Sequence, residues 1–334
     1  MIWLTWRQFR GQAVIALGAL AALTIFLVIL GLRIRGTYDA NVVDCATTCS
    51  LANARDALEA SYLTPLLLTG FLVVLVPALL GAFWGAPLVA REIETGTHRL
   101  VWNQSITRTR WLAVKLALVT LAGVAVAGAF SLLLTWAASP YDKLLSGRFE
   151  PLFFPTRNIV PLGYAAFAVV AGIVIGLVLR RTIPAMAITL AVFAALQILV
   201  PTLIRPYLQA PVTQTVAFTA DTRVSEFSSG GPNSTGISIN GYDNTVPGSW
   251  MLSSRVPLMN AAGEQVTRDT VADCLKGDMR RDMACISQLD LHFTVKYQPA
   301  DRYWTFQWLE LGAYLLLGGV LAAFAFWRVR RSLS

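Results

Sequence analysis

The sequence predicts an α-helical integral membrane protein: six transmembrane helices, an amphipathic interfacial helix at the N-terminus, and a small mixed α/β module between helices five and six. Three observations carry this reading. Charged residues make up only 14% of the chain and hydrophobic ones 55%, whereas a soluble domain has about a quarter of its residues charged. The apolar residues fall in six runs near the length of roughly 20 that a bilayer requires. One polar stretch of domain size, residues 205–307, interrupts them late in the chain.

The runs are Ala13–Leu32, Tyr62–Ala90, Leu112–Ala137, Leu162–Leu179, Ile183–Ile204 and Trp308–Trp327. The second is longer than a bilayer needs. No run has a charge at its centre, which argues against a proton-coupled or ion-coupled carrier. The start of the chain has a signal-peptide flavour in Arg7 and Arg10 ahead of an apolar run. That run is too long for a signal core, and the Leu32–Arg35 stretch offers no small-residue cleavage site, so it is read as a retained span. Within residues 2–13, Ile2, Trp6, Phe9 and Ala13 share one side and Arg7, Gln8 and Gln12 fall away from it, as in an interfacial helix. The plainer alternative is a helical extension of the first span.

Charge sets the expected orientation. With both termini in the cytoplasm, the cytoplasmic segments hold 12 Lys/Arg against two acids, and the outer segments 15 against 17. That is the positive-inside pattern, with Arg33 and Arg35 on the wrong side. It accounts for the net charge of +8 without a nucleic-acid partner, for which no basic stripe with interleaved aromatics exists. The expected location is the plasma membrane. The outer segments are then residues 33–61, 138–161 and 205–307. In the last, Ser228–Ser249 is rich in Gly, Ser, Thr and Asn and reads as turns and short strands, Asp269–Gln288 as helix, and Leu289–Tyr297 as a strand. All four cysteines fall outside, where disulfides persist. Cys274 with Cys285 and Cys45 with Cys49 is the simplest of three connectivities. Paired C-x-x-C spacing and paired histidines are lacking, so no metal site is expected.

The stretch Ala90–Lys115, AREIETGTHRLVWNQSITRTRWLAVK, carries the functional signal. It leaves the overlong second span with an acidic pair, Glu92 and Glu94, breaks at Gly96–Thr97, and ends in a basic cluster of Arg108, Arg110 and Lys115. Arg91, Glu92, Gly96 and Thr97 resemble the R-E-x-x-x-G-T signature after the second span of exporter-type ABC permeases of the type V fold. The topology resembles theirs as well, and Tyr297–Glu310 resembles a subgroup common in actinobacteria. The resemblance implies that residues 91–111 are a coupling segment, with Arg91, Glu92, Glu94, Gly96, Thr97, His98 and Arg99 meeting a cytoplasmic ABC ATPase subunit. It further implies a dimer with a second permease copy or a paralogue, and a lipophilic or amphipathic cargo moved outward. The domains expected are residues 1–204, the outer module 205–307, and 308–334 with the sixth helix and tail. The chain has no phosphate-loop motif, so no catalytic residue and no cofactor is assigned to it, and ATP and Mg belong to the partner subunit. Membrane lipid is the other expected partner.

Remaining candidates carry plainer readings beside sharper ones. Phe71, Phe83 and Gln197 are taken as lining a substrate path along spans two and five. Gln197 equally suits a role in joining helices. His98 could sense pH or touch the ATPase but reads by default as a surface histidine, and His292 has no partner pattern for catalysis. Trp304 and Trp308 suit an interfacial belt, with Glu310 snorkelling to the interface or gating an exit. A different class, a membrane-anchored receptor whose outer module binds a ligand, would not need the Glu92 motif.

Overall fold

The computed structural model describes residues 2–44, 50–97, 107–145, 147–220, 222, 224, 226–229, 236–240, 246, 248–274, 276 and 278–332. Six helices among them are long and apolar enough to cross a membrane: Gly18–Val43, Asn53–Glu94, Arg108–Leu145, Val160–Leu179, Thr182–Tyr207 and Ala300–Arg331. Two compact units result. One is Met1–Arg205 with Trp304–Ser334, and the other is Pro206–Tyr303.

In the first unit α1 spans Ile2–Tyr38 and continues through the π-helical turn Asp39–Val43. Helix α2, Leu51–Leu79, passes through the π-helical segment Leu80–Gly85 into α3, Ala86–Glu94. Helix α4 is Arg108–Leu145, α5 is Val160–Leu179 and α6 is Thr182–Leu199, which runs on through Val200–Ile204. The helices outrun the apolar runs that announce them. Residues 33–61, expected as a loop, are mostly the ends of α1 and α2, and 138–145 of the second expected loop complete α4. The reason is physical: an apolar count measures only the lipid-facing length, whereas helix continues wherever Ala, Leu, Arg and Glu follow without a breaker. Even Pro140 sits inside α4, and such prolines are tolerated in spans whose neighbours satisfy the freed backbone. The N-terminal residues 2–13 join the first span without a break in helix.

Helix α5 is the central element, buried along nearly all of Val160–Leu177. Its Val169, Val170, Ile173 and Val174 pack with Leu80, Trp84 and Val89 of the second span and with Trp111, Leu112 and Val119 of α4. Close approach is possible because small residues recur every four positions on both partners. A Cβ on Gly176 would stand 2.5 Å from the Ala86 carbonyl oxygen, one on Gly85 2.6 Å from that of Val169, and one on Gly172 would fall on the Gly81 carbonyl. This is the small-x-x-x-small packing by which helices associate where no hydrophobic force separates them from lipid. A second core joins Leu27, Leu30 and Ile34 of α1 to Leu58, Leu66 and Val73 of α2 and Phe130 and Leu134 of α4. At its edge the guanidinium of Arg35 lies 4.0 Å from the centre of the Trp136 ring and donates to the Trp136 carbonyl at 2.6 Å. One of the two arginines that break the charge rule is thus an architectural contact with α4.

The second unit carries two three-stranded antiparallel sheets, in the orders β1-β6-β4 and β2-β3-β5. Their strands are β1 Val212–Ala217, β2 Glu226–Ser229, β3 Ile237–Asn240, β4 Trp250–Met251, β5 Arg255–Pro257 and β6 His292–Gln298. Along β6, Phe293, Val295 and Tyr297 are buried and Thr294 and Lys296 exposed, the two-residue period of a half-buried strand. The strand starts later than its alternation predicts, because Ser287–Leu289 finishes a helical stretch and Asp290 turns the chain with φ +51°. The expected helix 269–288 is two short ones, α7 Arg268–Val271 and α8 Met279–Ile286. Cys274 and Cys285 stand at disulfide distance, Cα atoms 5.4 Å apart, and close a loop whose constraint stabilises by about 3 kcal/mol in the chain-entropy model. Cys45 and Cys49 lie outside the described residues. Buried Gln298 laces the two roots of this unit together. Its Nε2 donates to the Gln209 carbonyl at 2.7 Å and its Oε1 accepts from Arg302, which also donates to the Ala210 carbonyl at 2.7 Å. Helix α9, Tyr303–Ser332, returns the chain to the first unit.

Candidate functional site

Helix α3 prolongs the second span and presents the motif. Its residues divide by face. Arg91 is exposed, and Glu92, one residue on, is buried among the neighbouring helices. Gly96 stops the helix with φ +72°, a conformation that glycine adopts without the Cβ clash other residues meet. Its N–H donates to the Ile93 carbonyl at 3.2 Å, and Thr95 N–H to the Arg91 carbonyl at 3.0 Å. The Thr95 hydroxyl donates to the Arg91 carbonyl at 2.8 Å, and that of Thr97 to the Glu92 carbonyl at 3.4 Å. Arg-Glu-x-x-x-Gly-Thr is therefore a helix end with an inward carboxylate, an outward guanidinium and a glycine-threonine cap.

The inward carboxylate is fully engaged. Glu92 Oε1 lies 2.5 Å from Lys115 Nζ, and Oε2 accepts from Trp111 Nε1 at 3.1 Å. Lys115 Nζ also donates to the Leu88 carbonyl at 3.2 Å, one turn back on α3, and lies 4.9 Å from the centre of the Trp111 ring. Trp111 and Lys115 are four apart on α4, hence on one face. Glu94 turns the other way. Its Oε2 accepts from Thr182 N–H at 3.0 Å and from the Thr182 hydroxyl at 2.7 Å, satisfying one of the backbone donors that the first turn of α6 leaves open. The sequence reading aimed both carboxylates at a partner protein, whereas the structure gives each a partner within the chain. His98 and Arg99 lie outside the described residues.

At the opposite end of the spans a second charged cluster closes. Arg205 and Glu310 form a two-pronged pair, Nε to Oε2 at 2.7 Å and Nη2 to Oε1 at 2.9 Å, with both side chains essentially without exposure. The Tyr164 hydroxyl donates to Glu310 Oε1 at 2.5 Å, and the guanidinium lies 4.5 Å from the centre of the Phe154 ring. Gln307 ties in the start of α5: its Oε1 accepts from Ile159 N–H and Val160 N–H, each at 3.2 Å. Glu310 therefore does not snorkel. Trp304 and Trp308 remain exposed beside it. Arg205 and Glu310 are the residues that bracket the excursion 206–303, and the charges at the borders of spans five and six were the available signal for the pair.

Phe71 and Phe83 present exposed rings on the second span, and Gln197 is half-buried on α6. The sequence reading missed Trp111, Thr182, Tyr164 and Arg205, and took Lys115 only as part of a basic cluster. Among the described residues no three His, Cys, Asp or Glu side chains gather to hold a metal ion.

Fold and site together define a multi-pass membrane protein whose second span ends in a capped and doubly clasped helix. Residues 17–205, more than half of the chain, match the model of the family described as ABC-2 membrane transporter related, and the chain belongs to that family. It is accordingly a transmembrane component of an ABC transporter rather than its ATPase, and membership implies association with an ABC ATPase subunit. No curated protein and no solved structure matches the chain. The match ends at Arg205, so the excursion 206–303 lies beyond it.

Proposed function

We propose that the chain is the permease subunit of an ATP-driven exporter that moves a lipophilic or amphipathic substrate out of the cytoplasm or the inner leaflet. It works as a dimer, with a second copy or a paralogue, on two cytoplasmic ATPase subunits that bind ATP and Mg. The capped end of α3 is the observation that carries this reading. Arg91, Thr95 and Thr97 are its exposed residues beside Glu94, and they form the docking end of a coupling segment that continues through residues 98–111. Both termini and this end face the cytoplasm, residues 2–13 extend the first span at its cytoplasmic end, and residues 206–303 form the extracytoplasmic module. Phe71, Phe83 and Gln197 belong to an apolar substrate path with few polar groups, as suits such a cargo.

Single cysteines at Thr97 and Leu289, both exposed positions, test the orientation in intact cells. An impermeant thiol reagent is expected to reach the second and spare the first. The reverse labelling contradicts it. The compact second unit, with its own core, favours one other reading, a membrane-anchored receptor. A chain that reaches the plasma membrane and performs its role without any ABC ATPase would support the receptor instead.

A further inference from the structure

Three spans grip the short helix α3, each through a different face. Lys115 of α4 holds it twice, through the Glu92 carboxylate at 2.5 Å and the Leu88 carbonyl at 3.2 Å. The first turn of α6 holds Glu94 through Thr182. Helix α5 abuts it where Gly176 leaves room for the Ala86 carbonyl. Among the described residues, Arg91 and Thr95 mark a face of this helix end that is left exposed. A buried ion pair with its remaining hydrogen bonds satisfied resists separation, because parting the charges leaves one of them uncompensated. A load on the open face is then shared with the spans that grip α3 rather than borne by α3 alone.

We propose that Lys115, with Trp111 and Thr182, is a positioning residue that converts docking at the α3 end into joint motion of spans two, three and five. The inference rests on the reading that an ABC ATPase docks there. It adds that the acidic residues of the motif act inside the permease rather than on the ATPase. Binding and transmission are then separable functions: Arg91, Thr95 and Thr97 serve the first, and Glu92, Lys115, Trp111, Glu94 and Thr182 the second.

The test uses the full chain purified with its ABC ATPase, spin-labelled at Leu152 and Leu203, two exposed positions at the far end of the spans. Distances are measured without nucleotide and after trapping with ATP, Mg and vanadate. The parent is expected to show a nucleotide-dependent change in distance. Because Lys115→Met alone strands Glu92, the variant is Glu92→Gln with Lys115→Met, which removes both charges and conserves volume. It should keep the ATPase through size-exclusion chromatography and keep basal hydrolysis, yet lose the distance change. The reversed pair, Glu92→Lys with Lys115→Glu, should restore it. A neutral pair that keeps the full change overturns the proposal while leaving the docking reading intact. A neutral pair that sheds the ATPase assigns Glu92 and Lys115 to binding and overturns it too. A parent that holds no ATPase, or shows no change with it, overturns the docking reading and the inference together.

Discussion

The two ends of the spans are built on the same chemistry and differ in what they leave open. At one end Arg205 and Glu310 meet in two parallel hydrogen bonds, with Tyr164 completing the carboxylate and the Phe154 ring beneath the guanidinium. At the other, Glu92 and Lys115 meet at the edge of the buried zone, and the helix they hold keeps one face exposed. The first clasp joins residues 105 positions apart and gathers spans four, five and six around a buried pair. The second joins residues 23 apart in sequence and ends in an open face. The difference separates an anchor from a handle. The closed clasp fixes the borders of spans five and six, whereas the open one holds the helix end that, in the function proposed above, an ABC ATPase engages.

Breaking the anchor should have the largest effect. Glu310→Ala or Arg205→Ala strands a buried charge and is expected to cost about 3–5 kcal/mol, read as a lower thermal midpoint or loss of monodisperse protein in detergent. Replacing both with methionine should recover most of that loss, since a well-packed apolar pair substitutes for buried charges. Breaking the handle should cost less. Lys115→Met also strands a carboxylate, but Glu92 keeps its bond from Trp111 and is partly exposed, so the loss is expected to stay below the roughly 3–5 kcal/mol of a fully buried pair. Equal or reversed losses at the two ends, measured by the same melting assay, would contradict the division into anchor and handle.

Two smaller changes sharpen it. Gly172→Ala places a Cβ against the Gly81 carbonyl where α5 crosses the second span, and overpacking of this kind costs about 1–3 kcal/mol. Gly319→Ala, where an added Cβ meets nothing within 4 Å, is the matched control and should leave the melting temperature in place. Glu94→Gln should have the smallest effect on stability, because the group is solvent-exposed. Its consequence is expected in transmission, as a reduced nucleotide-dependent movement of the span-five label with the ATPase still bound.

Much of this was legible in the sequence, for reasons that can be named. Apolar length announces spans, and it announced six; it understated them because helices such as α1 and α4 run on past the lipid-facing stretch. Motif spacing located the Glu92 end, since Gly96 must stop a helix that carries no other breaker after Pro87. The direction of the carboxylates was not legible. A carboxylate beside a basic cluster reads the same whether Lys115 is its own partner or another protein's, until the face of α4 that bears Trp111 and Lys115 is fixed. Arg205 and Glu310 were hidden more deeply. Each sits at the border of an apolar run, where snorkelling is the ordinary behaviour of a charge, and 104 residues intervene between them. Only the return of α9 beside α5 and the end of α6 shows that the two borders meet.

The central claim is that the open face at the end of α3 is where an ABC ATPase engages this permease. A photo-crosslinking residue placed at Thr97, and for comparison at Leu289, tests it in living cells, with mass spectrometry of the captured protein. The account expects the Thr97 probe to capture a protein carrying the phosphate-loop motif of an ABC ATPase, more strongly when nucleotide is trapped, and the Leu289 probe to capture none. Capture of the ATPase from Leu289, or its absence at Thr97 in cells where it co-purifies with the permease, would place the contact elsewhere and contradict the account.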